Sequence, residues 1–289
     1  ATHGRWLSVD VTAPLGNTVR AEFGISGDGK TAIIEMAAAS GLHLVPIEKR
    51  NPLITTSYGT GELIKAALDQ GVAKIILGIG GSATNDAGAG MLQALGAVFW
   101  DQDGVALGFG GGALINTAHV DFSKLDPRLQ QVELDVACDV NNPLCGEKGA
   151  SAIFGPQKGA SPEMVATLDK ALHHFATVIQ QQHGLDIRHH AGAGAAGGMG
   201  GGLHAFLDAQ LQPGIELLLE TLDFAEKIKD ADLLITGEGK SDRQTLMGKV
   251  PSGILQEARR QHIPVILLAG AIEDAGILNA AGFRGVFSI

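Results

Sequence analysis

The chain has 289 residues, a formal net charge of −10, 45% hydrophobic residues and 18% charged residues. This length suffices for one large domain or two ordinary ones. The composition is too apolar for a disordered protein, and the chain lacks the uninterrupted apolar run of about eighteen residues that a membrane helix needs. The acidic excess and the absence of a Lys/Arg-rich run disfavour nucleic acid. We expect a globular protein with neither a membrane nor a nucleic-acid partner.

The cysteines and the two ends suggest the protein's setting. Cys138 and Cys145 match neither a zinc-ligand spacing nor a CxxC redox pair, so we expect reduced thiols and a cytoplasmic location. No charged segment followed by an apolar run opens the chain, which removes the simplest argument for secretion. The chain starts at Ala1, directly before a strand-like segment, and stops at Ile289 in an apolar strand. We therefore expect that segments are missing from both ends.

Residues 24–31 match the P-loop pattern GxxxxGK[ST] letter for letter. However, residues 19–25 alternate between apolar and polar, Asp28-Gly29 is a turn signal, and Ile33 and Ile34 resume an apolar run. A P-loop needs a buried strand and a following helix, so the hairpin is favoured. Lys30 is then not expected to hold phosphates.

Helix and strand signals alternate along the rest of the chain. A helical face around residues 63–68 ends at Gly71 and is followed by a short apolar strand at 74–78, and a second strand is predicted at 133–137. A long helix is predicted from Ser161 to Gly184. Residues 231–289 repeat strand and helix, which is typical of a parallel, doubly wound sheet. The fold class is therefore α/β.

The glycines Gly192, Gly194 and Gly197 fit the dinucleotide fingerprint GxGxxG. The segment before them, residues 187–190, makes a poor buried strand, so an NAD site is the weaker interpretation but stays open.

Polar residues follow three of the predicted strands. Gly80, Gly81 and Ser82 form a tight loop after the strand at 74–78, and a helix is predicted from Asp86. Backbone N–H groups there would cradle a phosphate, although a turn that only packs helix on strand remains an alternative. Asp139 follows the strand at 133–137, where open α/β sheets place ligands. Glu238 and Asp242 follow a strand predicted at 233–236.

Four segments together, in this order, resemble the glycerate kinase family. They are GIGGSATNDAG at 78–88, ACDVNNPL at 137–144, GPQKG at 155–159 and TGEGKSDRQT at 236–245. The glycine-rich stretch 192–202 and GKVP at 248–251 complete the pattern. The resemblance implies transfer of the γ-phosphoryl group of ATP to D-glycerate, giving 2-phosphoglycerate and ADP, with Mg²⁺. It places two further family motifs upstream of Ala1 and leaves a homodimer open.

The residues and the resemblance together predict the site. Residues 1–225 are expected to form a larger mixed α/β domain, and 226–289 the second half of a flavodoxin-like domain. The expected catalytic residues are Asp242 as the base, Glu238, Lys158 and Arg243. The expected nucleotide-binding residues are Gly80, Gly81, Ser82, Asp86, Gly197, Gly198 and Lys249. Asp139 and Glu238 are the expected metal ligands. The alternatives are an NAD-dependent oxidoreductase and an inactive ligand-binding fragment.

Overall fold

The computed structural model describes residues 2–289 and divides into two compact units, of which one ends at Gln212 and the other begins at Pro213. The sequence places the boundary later, after residue 225. The structure assigns residues 213–225 to the second unit, where the side chain of Ile215 packs against Gly253: a Cβ added to Gly253 would lie 2.3 Å from Ile215 Cγ1. The assignment of the second unit to a flavodoxin-like domain stays a prediction.

The first unit is built on a mixed six-stranded sheet of order β1-β2-β3-β4-β7-β8, with β5 and β6 as a separate antiparallel pair. The strands are β1 (Arg5–Thr12), β2 (Thr18–Ile25), β3 (Thr31–Glu35), β4 (Lys74–Gly78), β5 (Val98–Trp100), β6 (His119–Asp121), β7 (Glu133–Ala137) and β8 (Gln210–Gln212). The helices are α1 (Ala37–Ser40), α2 (Tyr58–Leu68), α3 (Ala89–Ala94), α4 (Ala150–Phe154), α5 (Pro162–His183) and α6 (Ala195–Leu207). Strands β3, β4, β7 and β8 run parallel, so their carboxyl ends share one edge of the sheet.

The hairpin predicted at residues 19–34 is confirmed. Strands β2 and β3 pair antiparallel, and the turn between them places Gly29 at φ +73°. The Asp28 carboxylate accepts hydrogen bonds from Ser26 Oγ (2.5 Å) and Lys30 N (3.0 Å), which lower the pKa of Asp28. The residues that form this hairpin turn therefore match the P-loop pattern only by coincidence.

The long helix α5 is also confirmed, with the ends that the sequence predicts. Ser161 Oγ accepts from Met164 N, Pro162 occupies the first turn, and Gly184 ends the helix at φ +71°. The apolar stripe of α5 is buried, and Phe175 packs edge to face against Phe99 with ring centroids 5.3 Å apart. This contact holds α5 against the β5–β6 pair.

The second unit has a parallel three-stranded sheet of order β11-β10-β9. Its elements are α7 (Gly214–Thr221), α8 (Phe224–Ile228), β9 (Leu234–Ser241), α9 (Val250–Arg260), β10 (Val265–Ile272), α10 (Ala275–Ala280) and β11 (Gly285–Ser288). The alternation of strand and helix is as predicted. The strand at 233–236 is longer than predicted, because residues 237–241 continue its pairing with β10 instead of forming a loop. None of the helices described in residues 2–289 is both long and apolar enough to cross a bilayer.

Candidate phosphoryl-transfer site

A cavity of about 320 Å³ lies at the carboxyl ends of β4 and β7. Its wall includes the loop Gly80, Gly81 and Ser82, the residues Asp139 and Lys158, and the start of α6. Open α/β sheets bind ligands at this edge. The structure therefore brings together five of the residues that the sequence analysis proposed.

The glycine loop is held from behind by backbone hydrogen bonds. Leu42 N donates to Gly81 O (2.8 Å), and Ala83 N donates to Ser40 O (2.9 Å). Gly81 has φ +71°, which favours glycine, whereas a Cβ added at Gly80 would meet nothing within 4 Å. Gly80 thus faces open space, and a ligand can approach the backbone closely there.

Lys158 is buried at the cavity wall, with only 2% of its surface exposed. It ends the 3₁₀ turn Pro156–Lys158 that follows α4, and its Nζ lies 2.7 Å from Ser82 Oγ and 2.6 Å from the carbonyl oxygen of Thr84. Burial lowers the pKa of Lys158 to about 7, and the nearby Asp86 carboxylate offsets part of this effect. Lys158 was expected among the catalytic residues, but its burial and its hydrogen bonds to Ser82 and Thr84 were not predicted from the sequence.

Asp86 is buried and joins Ser57 to the start of α3. Its carboxylate accepts hydrogen bonds from Ser57 N (2.9 Å), Ser57 Oγ (2.8 Å), Gly88 N (3.2 Å) and Gly90 N (3.3 Å). Burial raises the pKa of Asp86, and these hydrogen bonds oppose the rise. Asp86 is not among the described residues that line the cavity. The helix expected from Asp86 begins only at Ala89 and has six residues, so the phosphate cradle rests on the loop, not on a helix end.

Asp139 is an exposed carboxylate at the cavity, directly after β7. Its neighbour Cys138 donates from Sγ to Val140 O (3.3 Å), and Cys138 N donates to Gln212 O (2.8 Å). These bonds fix the backbone on both sides of Asp139. Both cysteines are free thiols, as predicted, and burial raises the pKa of each.

Gly197 and Gly198 pack behind the cavity instead of lining it. They lie in the kinked start of α6 with φ +72° and +95°, and a Cβ at Gly197 would lie 2.0 Å from Thr84 O. Gly197 O accepts from Ala87 N (3.0 Å), while Ala195 and Ala196 reach the cavity wall. No strand precedes the GxGxxG pattern, because residues 187–190 are irregular. A dinucleotide-binding unit at this segment is therefore not favoured.

The candidate residues of the second unit lie at the end of β9 and just beyond it. Glu238 lies within the strand, opposite Ala269 of β10, and its Oε1 accepts from Ser241 Oγ (3.0 Å) and Thr245 Oγ1. Asp242 caps the 3₁₀ turn Arg243–Leu246, accepting from Gln244 N at 2.7 Å. Glu238 therefore follows no strand end, contrary to the sequence prediction, since β9 continues to Ser241.

The cations of this unit are exposed. Arg243 Nε lies 3.2 Å from Asp274 Oδ2, Lys240 Nζ lies 2.9 Å from Glu273 Oε1, and Lys249 is the exposed residue before α9. In residues 2–289 the structure shows no cluster of three or more His, Cys, Asp or Glu side chains suited to a metal ion. Mg²⁺ commonly binds through one or two carboxylates together with waters and substrate phosphates. The single carboxylate of Asp139 is therefore enough to fit such a site.

Two features of the site were not predicted from the sequence. Ser57 supports Asp86, and Gln157 and Phe154 line the cavity. A serine that precedes a helix gives no signal for a carboxylate 29 residues away, because only the folded backbone brings them together. The GPQKG segment, by contrast, contains Gln157, so the resemblance to the family did point to this part of the chain.

Comparisons with known proteins agree with these features. The sequence profile of the Glycerate kinase family matches residues 1–289. The chain is 60% identical over 290 residues to a glycerate kinase of Haemophilus influenzae, covering 100% of this chain and 77% of that protein. It is 56% identical to glycerate 2-kinase of Escherichia coli K12, covering 100% of this chain and 76% of that protein.

A solved structure is similar as well. A crystal structure from Salmonella typhimurium LT2, assigned as glycerate kinase 2, matches 100% of this chain and 75% of its own chain with a TM-score of 0.92 and 54% identity. The family match gives no support to the expectation of missing end segments, which stays a prediction. The chain belongs to the glycerate kinase family.

Proposed function

We propose that this chain transfers the γ-phosphoryl group of ATP to the 2-hydroxyl group of D-glycerate, giving 2-phosphoglycerate and ADP. Family membership and the similarity to the Escherichia coli glycerate 2-kinase support an ATP-dependent kinase. The oxidoreductase alternative is not favoured, because the GxGxxG segment lacks its strand.

The observation that carries the proposal is the cavity at the ends of β4 and β7. Ligand pockets measure roughly 300–1,000 Å³, so 320 Å³ lies at the small end of that range. A three-carbon acid and a terminal phosphate match this size better than a whole nucleotide. We therefore assign the cavity to glycerate and the transferring phosphoryl group, with the glycine loop on the phosphate side.

Mg²⁺ is the expected metal. The exposed Asp139 carboxylate is a hard oxygen ligand at the cavity and would hold the ion together with phosphate oxygens and water. Mg²⁺ bound there would neutralise charge on the phosphates. Glu238 stays the second proposed ligand.

The remaining site residues keep proposed roles that fit their contacts. Lys158 supports the glycine loop through Ser82 and Thr84, so its effect on substrate would pass through that loop. Asp242 stays the proposed base, since a capping carboxylate uses one oxygen for the cap and keeps a second. Arg243 and Lys249 stay proposed phosphate contacts, because both are exposed cations.

The test is ADP release from Mg·ATP with a panel of small hydroxy acids, combined with ³¹P NMR of the product. We expect turnover with D-glycerate and a phosphorus signal coupled to the proton on C2. Turnover with a different acid only, or a phosphoryl group on O3, would contradict the proposed acceptor. Reduction of NAD by glycerate without ADP release would restore the oxidoreductase.

A further inference from the structure

Ser82 and Lys158 form a buried serine–lysine pair at the cavity. Lys158 Nζ lies 2.7 Å from Ser82 Oγ, and both residues line the cavity although Ser82 is only 6% exposed and Lys158 2%. A neutral amine has two hydrogens and one lone pair. At this site one hydrogen can be donated to Thr84 O at 2.6 Å, and the lone pair can accept the hydroxyl hydrogen of Ser82.

The surroundings favour the neutral amine. The two hydrogen-bond partners of Lys158 Nζ, Ser82 Oγ and Thr84 O, carry no charge, and burial lowers the pKa of Lys158 to about 7. The charged groups around it are the buried Asp86, Asp139 at the same cavity, and Arg50, whose Nη1 donates to Gln157 O at 3.5 Å. A serine whose hydroxyl meets a neutral buried lysine is an activated nucleophile.

We propose that Ser82 accepts the γ-phosphoryl group of ATP when no glycerate is bound, with Lys158 as the base, so that the protein phosphorylates itself at Ser82. The Oγ–phosphorus bond forms while the bond from the γ-phosphorus to the bridging oxygen breaks. The electron pair of the broken bond leaves with ADP, and the hydroxyl proton goes to Lys158 Nζ. The products are phosphoserine and an ammonium group beside it.

This inference rests on the proposed function, because it needs the γ-phosphate of ATP in the cavity. The position of Ser82 supplies the geometry. It follows Gly80 and Gly81 in the loop that we assign to the phosphate, and its backbone is bridged to Gly41. Its backbone is therefore held at the cavity wall, and its hydroxyl is held by the contact with Lys158 Nζ.

The experiment incubates the purified protein with Mg·[γ-³²P]ATP without glycerate, and tandem mass spectrometry locates the label. We expect up to one phosphate per chain on Ser82, formed faster as the pH is raised through the pKa of Lys158, and suppressed by saturating D-glycerate. Ser82→Ala should carry no label. Lys158→Met should be labelled at least about a hundredfold more slowly, the usual size of a general-base contribution, with a thermal melt to confirm folding.

Ser40→Ala is the matched control. Ser40 is also buried, but its hydroxyl bonds to Thr60 Oγ1 (2.8 Å) and to no lysine. Alanine keeps the backbone carbonyl that accepts from Ala83 N, so this variant should be labelled like the wild type. Label on Thr84 or elsewhere, a rate that does not depend on pH, or no label would each overturn the inference. ADP release with D-glycerate, measured on the same preparation, separates the two proposals: turnover without label contradicts only the inference, and label without turnover contradicts only the proposed acceptor.

Discussion

Replacing Lys158 with methionine should change how the free energy of unfolding depends on pH. Because the folded-state pKa of Lys158 is lowered from 10.5 to about 7, the unfolded chain binds more protons between these two values. Stability therefore rises with pH across that window. The cost of burying the ammonium is fully present below about pH 7 and disappears above the unfolded pKa.

The size of the effect follows from the linkage relation. One proton of difference is worth about 1.4 kcal/mol per pH unit. Because the group is half titrated near pH 7, the Lys158 contribution to the free energy of unfolding should rise by about 2 kcal/mol between pH 7 and pH 9. Methionine has a similar length, fills the same space and carries no proton, so the variant should lack this rise.

The assay is urea unfolding of the wild type and of Lys158→Met at pH 7, 8 and 9. The free energy of unfolding is taken from the transition that differs between the two proteins. Subtracting the free energy of unfolding of the variant from that of the wild type at each pH removes the contributions of all other titratable groups. Lys49→Met, at an exposed lysine, is the control and should keep the wild-type dependence. If the free energies of unfolding of the wild type and Lys158→Met changed with pH in parallel, the reasoning would be refuted. Lys158 would then be charged to the same extent in the folded and the unfolded state.

Three further predictions concern other parts of the chain. Lys30→Ala should leave the affinity for ATP within about threefold, measured by calorimetry, because Lys30 lies in a hairpin turn; a loss of orders of magnitude would restore the P-loop. Gly197→Ala should destabilise the protein by about 3 kcal/mol or more in urea unfolding, since the new Cβ meets Thr84 O. Gly184→Ala, strained at a similar φ but in open space, should cost only about 1 kcal/mol, and equal losses would contradict the packing argument. Asp242→Asn should keep the cap and the melting temperature but lower kcat by about a hundredfold; near-normal kcat would remove Asp242 as the base.

Local chemistry made part of the fold predictable from the sequence. The hairpin at 18–35 follows from alternation and an Asp-Gly turn, and α5 follows from a serine cap, a proline and a terminal glycine. These signals act between residues close in sequence. The strand β9 was predicted too short because its polar, glycine-rich end has no strand signal of its own and extends only by pairing with β10.

The site was predictable only in outline, for the same reason. The resemblance to a family identified the loop segments, and the strand ends identified Asp139. The pairing of Ser82 with Lys158 spans 76 residues and depends on how the turn at 156–158 packs under the loop. No pattern along the sequence records that a lysine is buried or which hydroxyl it meets.

The central claim is that phosphoryl transfer takes place in the cavity at the ends of β4 and β7, and Gly80→Leu tests it most directly. A Cβ at Gly80 meets no atom within 4 Å, and its φ is not in the left-handed region, so the larger side chain should fill the cavity without disturbing the backbone. We predict an unchanged thermal melt and a loss of kcat/KM for D-glycerate of at least about a hundredfold, since misplacing the reacting groups by about 1 Å can cost that much. A folded Gly80→Leu variant with wild-type kcat/KM would contradict the account.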